Sequence, residues 1–435
     1  MATTLYLDTA RLGRMSTRAQ AASSTFSNLA GELGCSVQFE DLLYGGFQEW
    51  EPSLQQRFSG LSDWKGLSGL KQSLRALTCT RREFPVFLAS RTAELMRLAA
   101  RLLFRKCKNV LVSDLEWPAY KAILENEGAR TGGEVKRVPL RNFILNHRAS
   151  PDEVASLVSA WYSRHGCDGL FLSSVTYEGI RLPVQQISRS LASAPRPPFV
   201  VVDGAQGFCH APAELQQGHC DFFLASCHKW LRAYHPMGLG VCGRESSQGF
   251  VKSVCNEMME AGEMDDPLLQ FTSWMEEGTR KHFTETVCLV PLFSCAAAAE
   301  EALVRTTNGK NPFSDLVGIA RKLELVPLGT GWTPLVPHDE LRSGILLFRT
   351  EASGSKWSRP EEVRERFQKC QVALTTYENG LIRLSAPPDG WQEENGELLR
   401  LALERTIPSD KHNLVLTDNR TPGVSPCVSP TFLAA

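Results

Sequence analysis

The chain has 435 residues, room for two or three domains of common size. Its 47 basic and 48 acidic residues leave a net charge of −1, which lends no support to a nucleic-acid footprint. With 43% hydrophobic and 22% charged residues it has the make-up of a globular protein that buries a large core without staples.

The 13 cysteines include no C-x-x-C pair, and several lie in apolar runs such as Val287-Cys288-Leu289. They read as buried free thiols in a reducing compartment, so a cytoplasmic location is expected. The start, MATTLYLDTARLGRMS, has no basic stretch leading into an apolar core, so no signal peptide is expected. The longest apolar run, 287–299, is too short to span a bilayer and contains Pro291. No membrane association is expected.

The first 80 or so residues are rich in Gly and Ser, with helical pieces. From Phe84 a regular alternation begins. Strands are expected at 84–88, 109–112, 135–138, 168–172, 199–202, 221–224 and 239–242. Between them, 91–106 has apolar residues at helical spacing, Pro118 opens a helix to about Glu127, Ser150-Pro-Asp-Glu caps another to about Arg164, and Pro183 to Leu191 forms a fourth. Such alternation argues for a largely parallel sheet covered by helices on both faces. After about Val290 come an Ala-rich helix (294–304), strands at 344–348 and 381–384, and helices at 360–370 and 394–404, which suggest a smaller α+β domain. Beyond about Ile407 the chain is polar and Pro/Ser-rich, a loose tail.

In such a sheet, function gathers at the carboxyl ends of strands. The residues there are Ser90-Arg91-Thr92, Ser113 to Trp117, Ser173 to Gly179, Asp203-Gly204-Ala205-Gln206, and Ser226-Cys227-His228-Lys229. Together they offer hydroxyls at a helix start, an aromatic face, a carboxylate, an amide and an amine. Pyridoxal 5'-phosphate needs that set: an amine for its aldehyde, a carboxylate for its ring nitrogen, an anion cradle for its phosphate and an aromatic ring to stack on.

The stretch VVVDGAQGFCH…DFFLASCHKWL resembles the class V aminotransferase family, which includes cysteine desulfurases and isopenicillin-N epimerase. The pair D-G-A-Q (203–206) and S-x-H-K (226–229) carries the resemblance, with LYLDTA, EGTRKHFTE and LIRLSAPPDGW following the family's order. It implies an α/β fold-type I enzyme. A mostly parallel seven-stranded sheet would lie in a large cofactor-binding domain (31–290), with a smaller α+β domain at 291–407. Residues 1–30 would pack on the small domain, and 408–435 would form the tail.

The resemblance further implies roles. Lys229 would hold the cofactor as a Schiff base and act as acid/base at the substrate Cα. Asp203 would pair with the pyridinium nitrogen, Gln206 and Thr176 would touch the phenolic oxygen, and Trp117 would stack on the ring. Arg91, Thr92, Ser226 and His228 would hold the phosphate. Thr279 would reach across a homodimer to the partner's phosphate, and Arg383 would bind the carboxylate of a small amino-acid substrate. Arg11, Tyr234 and His235 are further candidate substrate contacts.

The segment ALTTYENGLIRLS is short and lacks a cysteine, so desulfuration through a persulfide is not expected. An aminotransferase or β-eliminating lyase is the leading reading. The alternatives are an epimerase, an oxidative or decarboxylating enzyme, and a non-catalytic binding protein on the same fold. Two other patterns are set aside. Gly238-x-Gly240-x-x-Gly243 matches a dinucleotide fingerprint but falls on an expected strand. The Cys209-His210 and His219-Cys220 pairs fit no zinc module, so no metal is expected.

Overall fold

The computed structural model describes residues 4–34, 40–81, 83–194, 198–212, 218–277, 283, 285–307, 312–350 and 359–407. The expectations for Thr279 and for the tail at 408–435 lie outside the described residues.

Seven strands form the main sheet: β1 (Val86–Ala89), β2 (Asn109–Ser113), β3 (Glu134–Val138), β4 (Gly169–Ser173), β5 (Phe199–Asp203), β6 (Phe222–Ser226) and β7 (Gly238–Cys242). Their spatial order is β1-β7-β6-β5-β4-β2-β3. Neighbours from β3 to β6 pair in parallel, and only β7 runs antiparallel to the strands beside it. Strands β4, β6 and β7 are buried along their whole length, and β5 at all but its first residue. This is the pattern of inner strands covered on both faces.

Alternate residues feed two cores. Val110, Val112, Phe171, Val201, Phe222 and Leu224 face α2 (Thr92–Lys106), while Leu111, Leu170, Leu172, Val200, Val202 and Phe223 face the opposite side. The period of two thus places successive side chains in different layers. Helix α2 carries Glu94 in its first turn and Arg105 and Lys106 in its last, which suits the helix dipole. Helix α3 (Pro118–Thr131) opens on its proline and ends on Gly132 in a left-handed conformation.

A second, antiparallel sheet has the order β10-β11-β9-β8, from β8 (Trp332–Leu335), β9 (Ile345–Thr350), β10 (Thr375–Tyr377) and β11 (Leu381–Ser385). Its core includes Trp332, Phe348, Phe367, Ile382 and Leu399. The chain start joins this part, with Leu5–Tyr6 pairing in parallel with Val372–Ala373.

Three details differ from the sequence reading. Only the first few residues of 1–30 meet the small sheet. The helix Thr17–Leu33 packs instead on Val290–Thr307, where Phe26 stacks on Phe293 at 4.6 Å. That second helix, expected to belong to the smaller domain, puts Leu292, Phe293 and 295–299 into the core of the large sheet. Helices at Leu140–His147, Gln248–Glu260, Pro267–Glu277 and Pro312–Leu323 were not anticipated. The first is short and starts after Pro139 without a side-chain cap, so it leaves little periodic signal.

Candidate active site

Three adjacent parallel strands end on polar residues: Ser113 on β2, Ser173 on β4 and Asp203 on β5. Ser173 and Asp203 are register partners. The next strand, β6, ends at Ser226 and turns into Cys227-His228-Lys229. A cavity of about 220 Å³ opens there, lined by Arg91, Thr92, Ala93, Tyr120, Ala205, Ser226, His228, Lys229, Pro236 and Met237.

Lys229 keeps some access to this cavity but is otherwise surrounded by protein. Burial holds its amine down to about 8, against the opposing pull of the Asp203 carboxylate. Asp203 is pushed up to about 6 by burial, while the Ala205 N–H, the Lys229 charge and the Ser173 hydroxyl pull it back. The Ala205 N–H donates to Asp203 Oδ1 at 2.8 Å. The N-terminal loop closes over the lysine, with Gly13 N–H donating to His228 O at 2.9 Å. A Cβ at Gly13 would lie 2.0 Å from the Lys229 carbonyl oxygen, so the approach requires glycine.

One end of the cavity is a ready anion site. The start of α2, where Arg91 is the N-cap residue and its side chain makes no capping bond, brings free N–H groups to the wall. Thr92 is buried and its hydroxyl donates to Ala225 O at 3.2 Å; that of Ser226 donates to Ala205 O at 3.4 Å. His228 Nδ1 is buried without a hydrogen-bond partner. Burial, then the Lys229 charge, holds this imidazole down to about 4. A histidine with an unpartnered ring nitrogen and a helix N-terminus on the walls of one cavity fit a bound phosphate. Gly238 allows this closeness, since a Cβ there would sit 2.9 Å from Thr92 Cα and N.

Gln206 is held at both ends of its amide. Trp230 Nε1 donates to its Oε1 at 2.9 Å, and its Nε2 donates to Ala10 O at 2.7 Å. Because an indole only donates, it sets which way the amide faces and leaves one N–H of Nε2 for a further acceptor. His210 stacks on Trp230 at 3.7 Å and uses both ring nitrogens, with Gln206 O and the Gly344 N–H. It is a support, not a metal ligand in waiting.

The substrate-side candidates are spread more widely. Arg383 is 4% exposed; it donates to Thr375 Oγ1 at 3.1 Å and to Tyr177 O at 3.3 Å, and lies 3.7 Å from Asp8 Oδ1. Its Nε is buried and unpaired. Arg11 and Tyr234 are exposed. His235 Nε2 pairs with Ser23 Oγ at 3.0 Å, which turns that ring toward α1 (Thr17–Leu33). Pro236 and Met237 line the cavity instead. Thr176 is fully buried, and its hydroxyl accepts the Ile180 N–H at 3.1 Å within a turn.

Trp117 stands at the start of α3. It is 43% exposed, and its ring meets Tyr177 edge-on at 5.4 Å, outside the cavity lining. The ring that lines the cavity from α3 is Tyr120, whose hydroxyl pKa is raised by burial and then by the Asp203 charge. Sequence reading missed Tyr120, which lies three positions past the N-cap residue Trp117. It also missed Glu116, which is buried under the same strand ends.

A family model for class-V aminotransferases matches residues 71–288. No curated protein sequence matches the chain. Among solved structures, the cysteine desulfurase CsdA from Escherichia coli aligns at a TM-score of 0.63 with 17% identity, over 93% of this chain and 94% of that one. The alanine–glyoxylate aminotransferase of Nostoc sp. aligns at 0.63 with 15% identity, over 93% and 96%. A C-DES mutant with glycine covalently linked to its PLP cofactor aligns at 0.63 with 15% identity, over 93% and 97%. These structural likenesses establish the fold, and the family match goes further: the chain belongs to the class-V aminotransferase family of pyridoxal-phosphate-dependent enzymes.

Proposed function

We propose that the chain is an amino-acid transaminase or β-eliminating lyase that acts without a persulfide-carrying cysteine. The observation that carries this reading is the pairing of a buried amine and a buried carboxylate, Lys229 and Asp203, at the ends of β6 and β5 beside an anion cradle. Bound pyridoxal phosphate supplies an electron sink for a carbanion at the substrate Cα.

The chain's own residues do the rest. Thr92, Ser226, His228 and Arg91 would hold the phosphate, and Gln206 and Thr176 would serve the phenolic oxygen. Lys229 would hold the cofactor's aldehyde and, with its amine free, would take the substrate's Cα proton. A lysine lowered to about 8 is partly neutral at physiological pH, as a base must be. Asp203, ionised at neutral pH, keeps a proton on the ring nitrogen. Arg383 receives the substrate carboxylate, where its unpaired Nε awaits an acceptor. The enzyme works as a cytoplasmic homodimer, with Thr279 reaching the partner's site and Trp117, Arg11, Tyr234 and His235 around the mouth.

The hairpin before Arg383 supports the exclusion of persulfide chemistry. Tyr377 pairs with Leu381, so the turn between them is only Glu378-Asn379-Gly380, with Asn379 and Gly380 left-handed. A turn this tight has no room for a mobile cysteine. Incubating the holoenzyme with a panel of amino acids, with and without an α-keto acid, tests the reading. Transamination gives a pyridoxamine form that a keto acid restores, and elimination releases ammonia and a keto acid without an acceptor. Racemised substrate, oxygen uptake or persulfide on the protein would each replace the reading. A protein that binds no chromophore would remove it.

A further inference from the structure

Between the lysine loop and the strand of Arg383 stands a guanidinium for which the proposed chemistry has no use. Arg232 lies three residues past Lys229 and is buried. Its N–H donates to Lys229 O at 3.1 Å, and its own carbonyl accepts the Ser16 N–H at 3.0 Å. Its Nε donates to Arg14 O at 3.1 Å, while Nη1 and Nη2 fork onto the two carboxylate oxygens of Asp389 at 2.7 and 3.1 Å. Its φ is 68°, a left-handed backbone that a residue with a Cβ keeps only where its surroundings impose it.

Asp389 belongs to the other side of the site. It follows β11, the strand of Arg383, and Pro387 and Pro388 stiffen the chain between. Residues 7–16 link the same two sides. The Ser385 N–H donates to Leu7 O at 2.8 Å, and the Ser385 hydroxyl accepts the Ala10 N–H at 2.9 Å. Further along, the Gly13 and Ser16 N–H groups donate to the His228 and Arg232 carbonyls. The fork between Arg232 and Asp389 therefore closes a ring of three segments: the loop after Lys229, residues 7–16, and the chain that leaves β11.

We propose that Arg232 is a positioning residue that, through Asp389, fixes the span between Lys229 and Arg383, and with it the fit of a substrate gripped by its amine at one end and its carboxylate at the other. This rests on the roles given above to Lys229 and Arg383. Lys229 follows a strand of the large sheet and Arg383 lies on a strand of the small one, so their separation depends on ties between the two. An α-amino acid carries both groups on one carbon, and a drift of either receptor by about 1 Å spoils the fit. A planar guanidinium forked onto a carboxylate fixes direction as well as distance. The Arg232 side chain is 8% exposed and that of Asp389 61%, so the anchor is set in the core and its partner is replaceable from the surface.

The test takes the holoenzyme and two reagents that displace Lys229 from the cofactor's aldehyde: aminooxyacetate, which carries a carboxylate, and methoxyamine, which does not. Stopped-flow loss of the yellow chromophore gives a rate constant for each, and their ratio reads the carboxylate end alone. Asp389→Ala and Arg232→Ala are each expected to lower that ratio about fivefold from wild type, the scale of one partly exposed ion pair, with the methoxyamine rate unchanged. The double variant falls no further, since both changes remove one contact. Arg232→Lys recovers only part, for want of the fork. Should Arg232→Ala prove insoluble, the surface change Asp389→Ala reads the same bond. An unchanged ratio in Asp389→Ala overturns the proposal. So does an equal fall in both rates, which would mean that the fork holds the lysine loop and nothing beyond it. Arg383→Ala separates the two layers: if it lowers the ratio while the Arg232 and Asp389 variants do not, only the present proposal falls. If it leaves the ratio at the wild-type value, the Arg383 reading falls and this one with it.

Discussion

The proposed cofactor floor and the proposed substrate mouth of this site are built on different plans. The floor is made from consecutive strand ends: Asp203 to Gln206 after β5 and Ser226 to Lys229 after β6. Asp203, Gln206 and Ser226 are buried there and tied to backbone or to a neighbouring side chain, while His228 Nδ1 has no partner. The mouth brings together Asp8, Tyr177 and the hairpin that carries Tyr377 and Arg383, three separate segments, and leaves Arg11, Trp117 and Tyr234 exposed. A floor of that kind commits to one cofactor, whereas a mouth assembled from loops and a second sheet is free to change its substrate. Variants on either side should therefore fail in different ways.

The largest effect belongs to the floor. Lys229→Ala is expected to lower turnover by at least about 10⁴-fold, since it removes both the covalent anchor and the base. The yellow chromophore should be lost from the variant's spectrum, and a variant that kept both colour and turnover would displace Lys229 from the chemistry. On the mouth side, Arg383→Ala is expected to reduce kcat/KM about 100-fold, mostly through KM, because a carboxylate would lose a buried, forked donor. Arg383→Lys should recover only part of this, since an ammonium cannot reproduce the fork. Steady-state kinetics on the best substrate of the panel separates the two parameters. A fall in kcat alone would mean that Arg383 serves the floor instead.

How much of each region was legible follows from the same difference. The strands from Asn109 to Cys242 announced themselves as short apolar runs between turn residues, and D-G-A-Q with S-x-H-K marked the two richest strand ends. Contiguous residues carry that information locally. Asp8, by contrast, meets Thr375 and Arg383 only because Leu5–Tyr6 pairs with Val372–Ala373, a contact across almost the whole chain. No local pattern encodes such a meeting. Trp117 was legible as an aromatic at a strand end, but the direction of its ring depends on Tyr177, and Tyr120 takes the cavity wall. Glu116 was hidden because a carboxylate in a turn reads as solvated, and only the closing of three strand ends buries it.

A smaller effect tests the stiffness of the floor. Trp230→Phe removes the indole N–H from Gln206 Oε1 but keeps a ring for His210 to stack on. With that restraint gone the amide is free to turn over, and cofactor affinity should fall about fivefold, the worth of one ordinary hydrogen bond. Equilibrium titration of the apoprotein with pyridoxal phosphate measures it. An unchanged affinity would show that the Ala10 carbonyl alone holds Gln206.

The finest distinction is a shift on the pH axis. Only a neutral amine attacks an aldehyde, so the rate at which the apoprotein captures pyridoxal phosphate should rise with pH and level off, with a midpoint near the Lys229 value of about 8. Burial lowers that value, and the Asp203 anion opposes the lowering. Asp203 is ionised throughout this range, so replacing it with asparagine removes a negative neighbour and disfavours the ammonium form. The midpoint in Asp203→Asn should therefore move to lower pH. Arg383, a positive neighbour across the gap to the mouth, acts in the opposite sense, so Arg383→Ala should move the midpoint up by a smaller amount. Stopped-flow absorbance on the three proteins reads both signs at once. Equal midpoints would mean that floor and mouth do not sense each other's charge at the lysine, and that burial alone tunes it.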